Sequence, residues 1–320
     1  MRFVKGVRAC ALVSALCMVL PHAGAADDKT VRLVVSSQAG GNNDTVARIV
    51  APKFAEALGQ PVIVDNKPGA NGMIAAKFVA TATIDGTALL IGTTSLAMVP
   101  ATLKAPAVDA RKDFVPVSNL VEVPVVLVAG KDFKGNSVKD MLAMAKSDPG
   151  KLTVGIFASS FIFYAERMAL EPGTKFTRVH YKGMSDTMND VVAGRVDMLL
   201  DTVGLQLPHI KAGRTKPLAV FTAKRHPLLP DTPTMDETGF KGFADNPFVG
   251  VFAPAGTPPE TVQRLNAALQ KSLAHPEVKG KLEGMGFSVI SGNATEFAER
   301  YRADVNRYED IARKANLPKE

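Results

Sequence analysis

The sequence predicts an α/β protein built as two lobes. Three observations carry that prediction. Short β-branched runs alternate with longer segments whose apolar residues recur at helical spacing. Loops rich in Gly, Ser, Thr and Asn fall between a strand and the helix after it. The chain has 320 residues, more than one hydrophobic core ordinarily serves and enough for two.

The N-terminus carries the pattern of an export signal. Arg2, Lys5 and Arg8 precede an apolar stretch from Ala9 to Leu20, and Ala23-Gly24-Ala25 offers a small-residue cleavage site. A signal is therefore expected over 1–25, removed near Ala25. Its apolar stretch is too short for a membrane-spanning helix, which takes about 20 residues. Both cysteines, Cys10 and Cys17, lie inside it, so the exported product has no disulfide, thiol nucleophile or cysteine metal ligand. Ser14-Ala15-Leu16 is a poor lipidation signal ahead of Cys17. The formal charge is +7 from 38 basic and 31 acidic residues, and without the three signal cations 35 basic residues face 31 acidic ones. So mild an excess, with no basic cluster interleaved with aromatics, argues against a nucleic-acid partner.

Along the rest of the chain, Val31–Val35 is a strand candidate followed by the turn-forming Gln38–Asn43. From Asp44 the residues Val46, Ile49, Val50, Phe54 and Leu58 mark a helix that Gly59 can end, with a kink or interruption expected at Pro52. Pro61–Val64 is the next strand, then the loop Asp65–Gly72, a helical segment, and the strand Ala88–Ile91 with the exit loop Gly92–Ser95. This β-loop-α rhythm implies a parallel sheet with crossover helices. After a Pro-punctuated stretch over Asp113–Pro124 the rhythm restarts. Val125–Ala129 is a strand, Ser137 caps a helix reaching Lys146, and Pro149-Gly150 stops it. Further strands are Leu152–Ile156, Arg178–Tyr181, Val196–Leu200, Pro217–Phe221 and Phe248–Phe252. Thr257-Pro258-Pro259-Glu260 predicts a capping box opening a helix whose face is Val262, Leu265, Leu269 and Leu273. Thr295–Ala315 is the final amphipathic helix.

Motifs for the commoner chemistries are missing. The sequence has no G-x-S-x-G elbow, no phosphate-binding loop, no dinucleotide fingerprint and no H-E-x-x-H pair. The histidines after the signal, His180, His209, His226 and His275, stand at least 17 positions apart, without the local pairing usual for metal ligands. The expectation is a protein with no catalytic residues, metal or cofactor. What the sequence does offer is three polar loops in equivalent places: Gln38–Asn43, Gly92–Ser95 and Ala158–Ser160. In a parallel α/β sheet such loops gather at the carboxyl ends of the strands, where helix N-termini present unpaired amides to a carboxylate or phosphate.

A series of motifs also runs in order through nearly the whole exported chain. It begins with Gly40-Gly41-x-x-Asp44 plus Arg48, and Asp65-Asn66-Lys67-Pro68-Gly69-Ala70. Lys112-Asp113-Phe114-x-Pro116-Val117-Ser118, Tyr181-Lys182-Gly183 and Val196-Asp197 come next. Pro208-His209-Ile210-Lys211-Ala212-Gly213 and Ala253-Pro254-Ala255-Gly256-Thr257-Pro258-Pro259 complete it. In this series the chain resembles the substrate-binding proteins of tripartite tricarboxylate transporters, the Bug receptor family. The resemblance implies a two-lobed type II periplasmic binding-protein fold with a ligand cleft between the lobes. It further implies a monomer that captures a small organic acid and delivers it to membrane transporter subunits; a periplasmic sensor passing a signal to a partner protein is the alternative. Lobe one is expected at 26–122 and 248–320 and lobe two at 123–247, with hinges near Leu120–Pro124 and Asn246–Phe248.

Carried over residue by residue, the family's ligand contacts fall on Ala39, Gly40 and Gly41, on Thr94 and Ser95, and on Ala158, Ser159 and Ser160 with Asp201. Asp201 either meets a water, donor or amine in the cleft or caps the helix after it. Asp44 is expected to cap its helix, and Tyr181-Lys182-Gly183 to form a structural corner. Two departures from the family stand out. Ser37-Gln38-Ala39 replaces the prolines common before the glycine pair. The Gly/Ser-rich run usual after Gly155 is here Ile156-Phe157-Ala158-Ser159-Ser160-Phe161-Ile162-Phe163-Tyr164, with Tyr164 where relatives carry a His. Phe157 and Phe161 therefore either wall the cleft and favour an apolar or aromatic acid, or belong to the buried face of the next helix.

Overall fold

The computed structural model describes residues 29–170, 174–244 and 246–319. The export signal expected at 1–25, with both cysteines, lies outside the described residues.

The first sheet begins with β1 (Val31–Val35), α1 (Asn42–Leu58), β2 (Val62–Asn66), α2 (Met73–Ala80), β3 (Ala88–Thr93), α3 (Thr94–Thr102) and β4 (Phe114–Glu122). The chain then builds a second sheet from β5 (Val125–Gly130), α4 (Val138–Ser147), β6 (Thr153–Ile156), α5 (Ser159–Ala169), β7 (Thr177–His180), α6 (Met184–Val192), β8 (Met198–Thr202), α7 (Val203–Lys211) and β9 (Thr215–Val220). It returns to the first sheet with β10 (Phe248–Pro254), α8 (Pro259–Ala274), α9 (Pro276–Gly284), β11 (Ser288–Val289) and α10 (Ala294–Lys314).

Strand order is β11-β4-β10-β3-β1-β2 in the first sheet and β7-β6-β8-β5-β9 in the second. Both are mixed, which corrects the parallel sheets expected from sequence. The β-loop-α strands β2-β1-β3 and β7-β6-β8 pair in parallel. The strands that carry the chain between sheets, β4, β5 and β10, run antiparallel to their neighbours. A strand reached directly from the other sheet has no helical crossover to reverse its direction.

Alternation along the strands supplies two apolar layers to each sheet. In the first, Leu33, Leu89 and Ile91 pack on α1 and α8 through Val46, Phe54, Leu265 and Leu269. Val34 and Leu90 face α2, α3 and α10 through Val79, Leu96, Val305 and Tyr308. The second sheet is covered by α4 and α5 on one face and by α6 and α7 on the other. Burial on both faces explains why β3 and β5 are continuous apolar runs.

Two local expectations are corrected. Helix α1 is not interrupted at Pro52, which lies on its exposed side. The capping box at Thr257 and Glu260 does not form. Pro258 takes the N-cap position of α8, and the Thr257 hydroxyl donates to the Pro254 carbonyl at 2.8 Å. A capping box closes instead on α10, where Asn293 and Glu296 exchange side-chain-to-backbone bonds of 2.9 Å.

The two crossings between sheets are held by one network. Arg300 on α10 donates to Glu122 at 2.8 Å and to the Asn246 carbonyl at 2.8 Å, while its Nε faces the Asp304 carboxylate at 3.0 Å. The Asn246 amide oxygen accepts the Val125 N–H at 3.1 Å, and its Nδ2 donates to Glu122 at 3.3 Å. One arginine thus ties the outgoing strand end, the returning segment and α10 together.

Candidate functional site

Strand register brings four helix starts to one region. Val249 at the start of β10 pairs with Thr93 at the end of β3, and Phe248 pairs with Glu122 at the end of β4. Across the crossing, Val125 at the start of β5 pairs with Thr202 at the end of β8. The carboxyl ends of β3 and β8, and of their parallel neighbours β1 and β6, therefore lie on the sheet edges that the crossing segments join. Helices α1, α3, α5 and α7 all begin there. Ligands of open α/β sheets bind outside such carboxyl ends.

The β1–α1 turn is built around two glycines. Gly40 has φ +85°, a conformation other residues rarely adopt. Gly41 is the N-cap of α1; a Cβ there would stand 3.1 Å from the Ser37 hydroxyl and 3.3 Å from the Gln38 carbonyl. Lacking a side chain, Gly41 leaves the first turn of α1 uncapped. The amides of the glycine pair themselves are engaged inside the turn. Gly40 N–H donates to Asp44 Oδ2 at 2.8 Å, and Gly41 N–H to the Gln38 carbonyl at 3.2 Å.

Asp44 does not cap α1 as expected, since Gly41 holds the N-cap position; it closes the turn ahead of the helix instead. Its side chain is 3% exposed and accepts from Gly40, from Arg48 Nε at 2.9 Å and from Asn66 Nδ2 at 2.8 Å. Burial alone would raise its pKa, but the bonds from Arg48, Gly40 and Asn66 outweigh it and hold the carboxyl below the usual aspartate range. Asn66 also donates to the Ser37 carbonyl at 3.1 Å and accepts from Arg48 Nη2 at 2.9 Å. In the sequence Arg48 and Asn66 are only motif letters. The signal for their pairing is the register of β2 on β1, which sets Asn66 beside Val35.

At the second turn no exit loop exists: β3 runs straight into α3. Thr93 is the N-cap, its hydroxyl accepting the Ser95 N–H at 3.3 Å. Thr94 is buried, and its hydroxyl accepts the Phe248 N–H at 2.7 Å, tying α3 to the returning segment. Ser95 is exposed.

In the second sheet, Ala158 is the N-cap of α5 and supplies no side-chain cap. Phe157 is half-buried and stands edge-on to Phe161 at 5.2 Å; Phe161 is buried in the core with Tyr164. Ser160 is half-buried in the first turn of α5, and Ser159 is its first residue. Asp201 lies near the end of β8 with 1% exposure. Its Oδ1 accepts the Thr202 N–H at 2.7 Å and its Oδ2 accepts from Gln206 Nε2 at 2.8 Å. Burial pushes its pKa up to about 6 against the pull of those two bonds. Helix α7, whose N-cap is Thr202, also lacks a side-chain cap.

The structure therefore brings Ala39, Gly40 and Gly41 to the start of α1, Thr94 and Ser95 to α3, Phe157, Ala158, Ser159 and Ser160 to α5, and Asp201 to α7. Thr94 and Asp201 sit beneath the surface of this region. Tyr181 donates to Asp190 at 2.6 Å, and burial together with that carboxylate raises its pKa to about 12, as suits a corner residue. Among the described residues no group of three His, Cys, Asp or Glu could hold a metal ion, and no helix is long and apolar enough to cross a membrane.

Comparison with known proteins identifies the family and the fold. The model of the tripartite tricarboxylate transporter family receptor matches residues 46–317. The UPF0065 protein in the tcbD-tcbE intergenic region of Pseudomonas sp. (strain P51) is 35% identical over 286 residues, 88% of this chain and 85% of its own. Among solved structures, the periplasmic binding protein BugD is 32% identical at TM-score 0.73, covering 91% of this chain and 99% of its own. R. palustris Rpa4515, solved with adipate, is 32% identical at TM-score 0.76, covering 91% and 98%. The fold is the two-lobed periplasmic binding-protein fold, and the chain belongs to the tripartite tricarboxylate transporter receptor family, with the Bug proteins among its members.

Proposed function

We propose that the chain is exported by the signal at 1–25 and works as a monomeric periplasmic receptor. It captures a small organic acid between lobe one (26–122 and 248–320) and lobe two (123–247) and delivers it to tripartite tricarboxylate-type membrane subunits. What supports this reading is that α1 in one sheet and α5 and α7 in the other each follow the carboxyl end of a strand and begin without a side-chain cap. Uncapped amides carry partial positive charge and suit a carboxylate. Adipate in Rpa4515 supports a carboxylate as the ligand class.

Binding requires no covalent step. The carboxylate takes hydrogen bonds from the first turns of α1 and α5, with the Ser95 and Ser160 hydroxyls within reach as the lobes close around it. Phe157 forms the apolar wall of the cleft. Asp201 serves from below, holding the Thr202 amide and Gln206 so that α7 keeps its place. The test is thermal unfolding of refolded protein against di- and tricarboxylates, aromatic acids, amino acids and neutral amides. A ligand at about 100 times its Kd adds about 2.7 kcal/mol, a rise of several degrees. Stabilisation by acids but not by their amides is expected, and no rise with any acid contradicts the reading.

A further inference from the structure

We infer that Asn66, Asp44 and Arg48 form a buckle that positions the first ligand-binding turn and hides a negative charge from the ligand. The inference rests on the carboxylate-receptor reading and adds which residues make that turn fit for an anion.

Both amides of the glycine pair are occupied. Gly40 N–H is taken by Asp44 and Gly41 N–H by Gln38, so neither is left for an incoming carboxylate. Offered instead are the N-terminal amides of α1 at Asn42 and Asn43, next to the side-chain-less N-cap. Their direction depends on how the turn is held. Asn66 grips it at two points, the Ser37 carbonyl ahead of the glycines and the Asp44 carboxylate after them. Since Asn66 belongs to β2, paired in register with β1, the turn is referenced to the sheet as well as to its own helix.

The buckle also balances charge. Asp44 is the third residue of the helix whose first amides would bind the anion. An uncompensated carboxylate there would oppose a second one. Arg48, one turn on, faces Asp44 and cancels its charge, and Asn66 fixes the guanidinium from its other side. The three residues thus fill separate roles: Asp44 closes the turn, Arg48 neutralises Asp44, and Asn66 locks both to the sheet.

The experiment measures two things on the folded full chain. The first is hydrogen exchange of the Gly40 amide without ligand; the second is adipate affinity by calorimetry at a temperature where circular dichroism shows each variant folded. Gly40 is expected to be protected in the wild type, and Asn66→Ala is expected to speed its exchange and weaken adipate binding, each by about tenfold. Arg48→Gln is expected to weaken binding similarly, and adding Asp44→Asn to recover part of the loss, an outcome that a purely structural role would not give. Unchanged Gly40 exchange in Asn66→Ala overturns the buckle, as does full adipate affinity in both single variants. If the wild type itself binds no adipate, that ligand reading fails, and Gly40 exchange still decides for or against the buckle.

Discussion

The ring of Phe163 stands edge-on to that of Tyr308, 5.1 Å between centroids, although Phe163 lies on α5 of the second sheet and Tyr308 on α10 of the first. Phe163 is buried with the residues of the first lobe's α2–α3–α10 layer rather than with its own neighbours Phe161 and Tyr164. The lobes are thus joined by a packed aromatic contact in addition to the two crossings. Phe163→Ala empties that socket, and a loss of about 3 kcal/mol is expected from urea unfolding. A loss below about 1 kcal/mol would show that the contact contributes little to joining the lobes.

A second inter-lobe contact is a close approach of backbones. A Cβ at Gly204, in α7, would overlap the Met285 carbonyl oxygen beyond α9, and one at Gly286 would lie 3.0 Å from the Gly204 backbone. The His226 ring also bonds to the Gly286 backbone. Because backbone cannot swing aside as a long side chain can, Gly204→Val forces this edge of the lobes apart. Adipate binding is expected to weaken about tenfold, or about 1.4 kcal/mol, with small-angle scattering showing a larger radius of gyration. Wild-type affinity and radius in the variant would remove the contact from the binding geometry.

Asp201 makes stability depend on pH in an uncommon direction. Its pKa rises from the ordinary 3.8 to about 6 on folding, so the folded state binds more protons between those values. Stability from this group is therefore fully present only below about pH 4 and is lost as pH rises through 6. Asp201→Asn removes the charging cost, so relative to wild type it is expected to gain about 2 kcal/mol between about pH 4 and pH 7.5. Denaturant titrations at the two pH values check this; an equal difference at both would mean that Asp201 is not charged at a cost.

Arg300 carries the opposite kind of prediction, since its partners are acidic and largely buried. Arg300→Leu leaves Glu122 without its cation and Asp304 with Arg307 alone, and a loss of about 3 kcal/mol is expected from urea unfolding. Pairing it with Glu122→Gln should recover part of that loss. A single substitution that costs under about 1 kcal/mol would show that the crossings are held without this network.

The strand-loop-helix order was legible in the sequence because β-branched runs and helical periodicity are local signals. Less visible were features that depend on distant partners. Strand β4 is hidden by Pro116, which breaks the local pattern; the sheet tolerates it where the register with Phe252 shifts. The Thr94 hydroxyl looks available for a ligand until Phe248, 154 positions on, is seen to occupy it. Likewise Gly40 presents an amide in the sequence but gives it to Asp44 in the fold. Phe161 and Phe163 are both buried aromatic side chains of one helix, yet only packing assigns them to different lobes.

The central claim is that a carboxylate is held between the lobes at the starts of α1 and α5. Its most direct test is a crystal structure with the acid that stabilises the protein most. Carboxylate oxygens are expected within about 3 Å of the amides at Asn42–Asn43 and at Ser159–Ser160, with Phe157 against the ligand's carbon chain. A carboxylate bound away from both helix starts would contradict it.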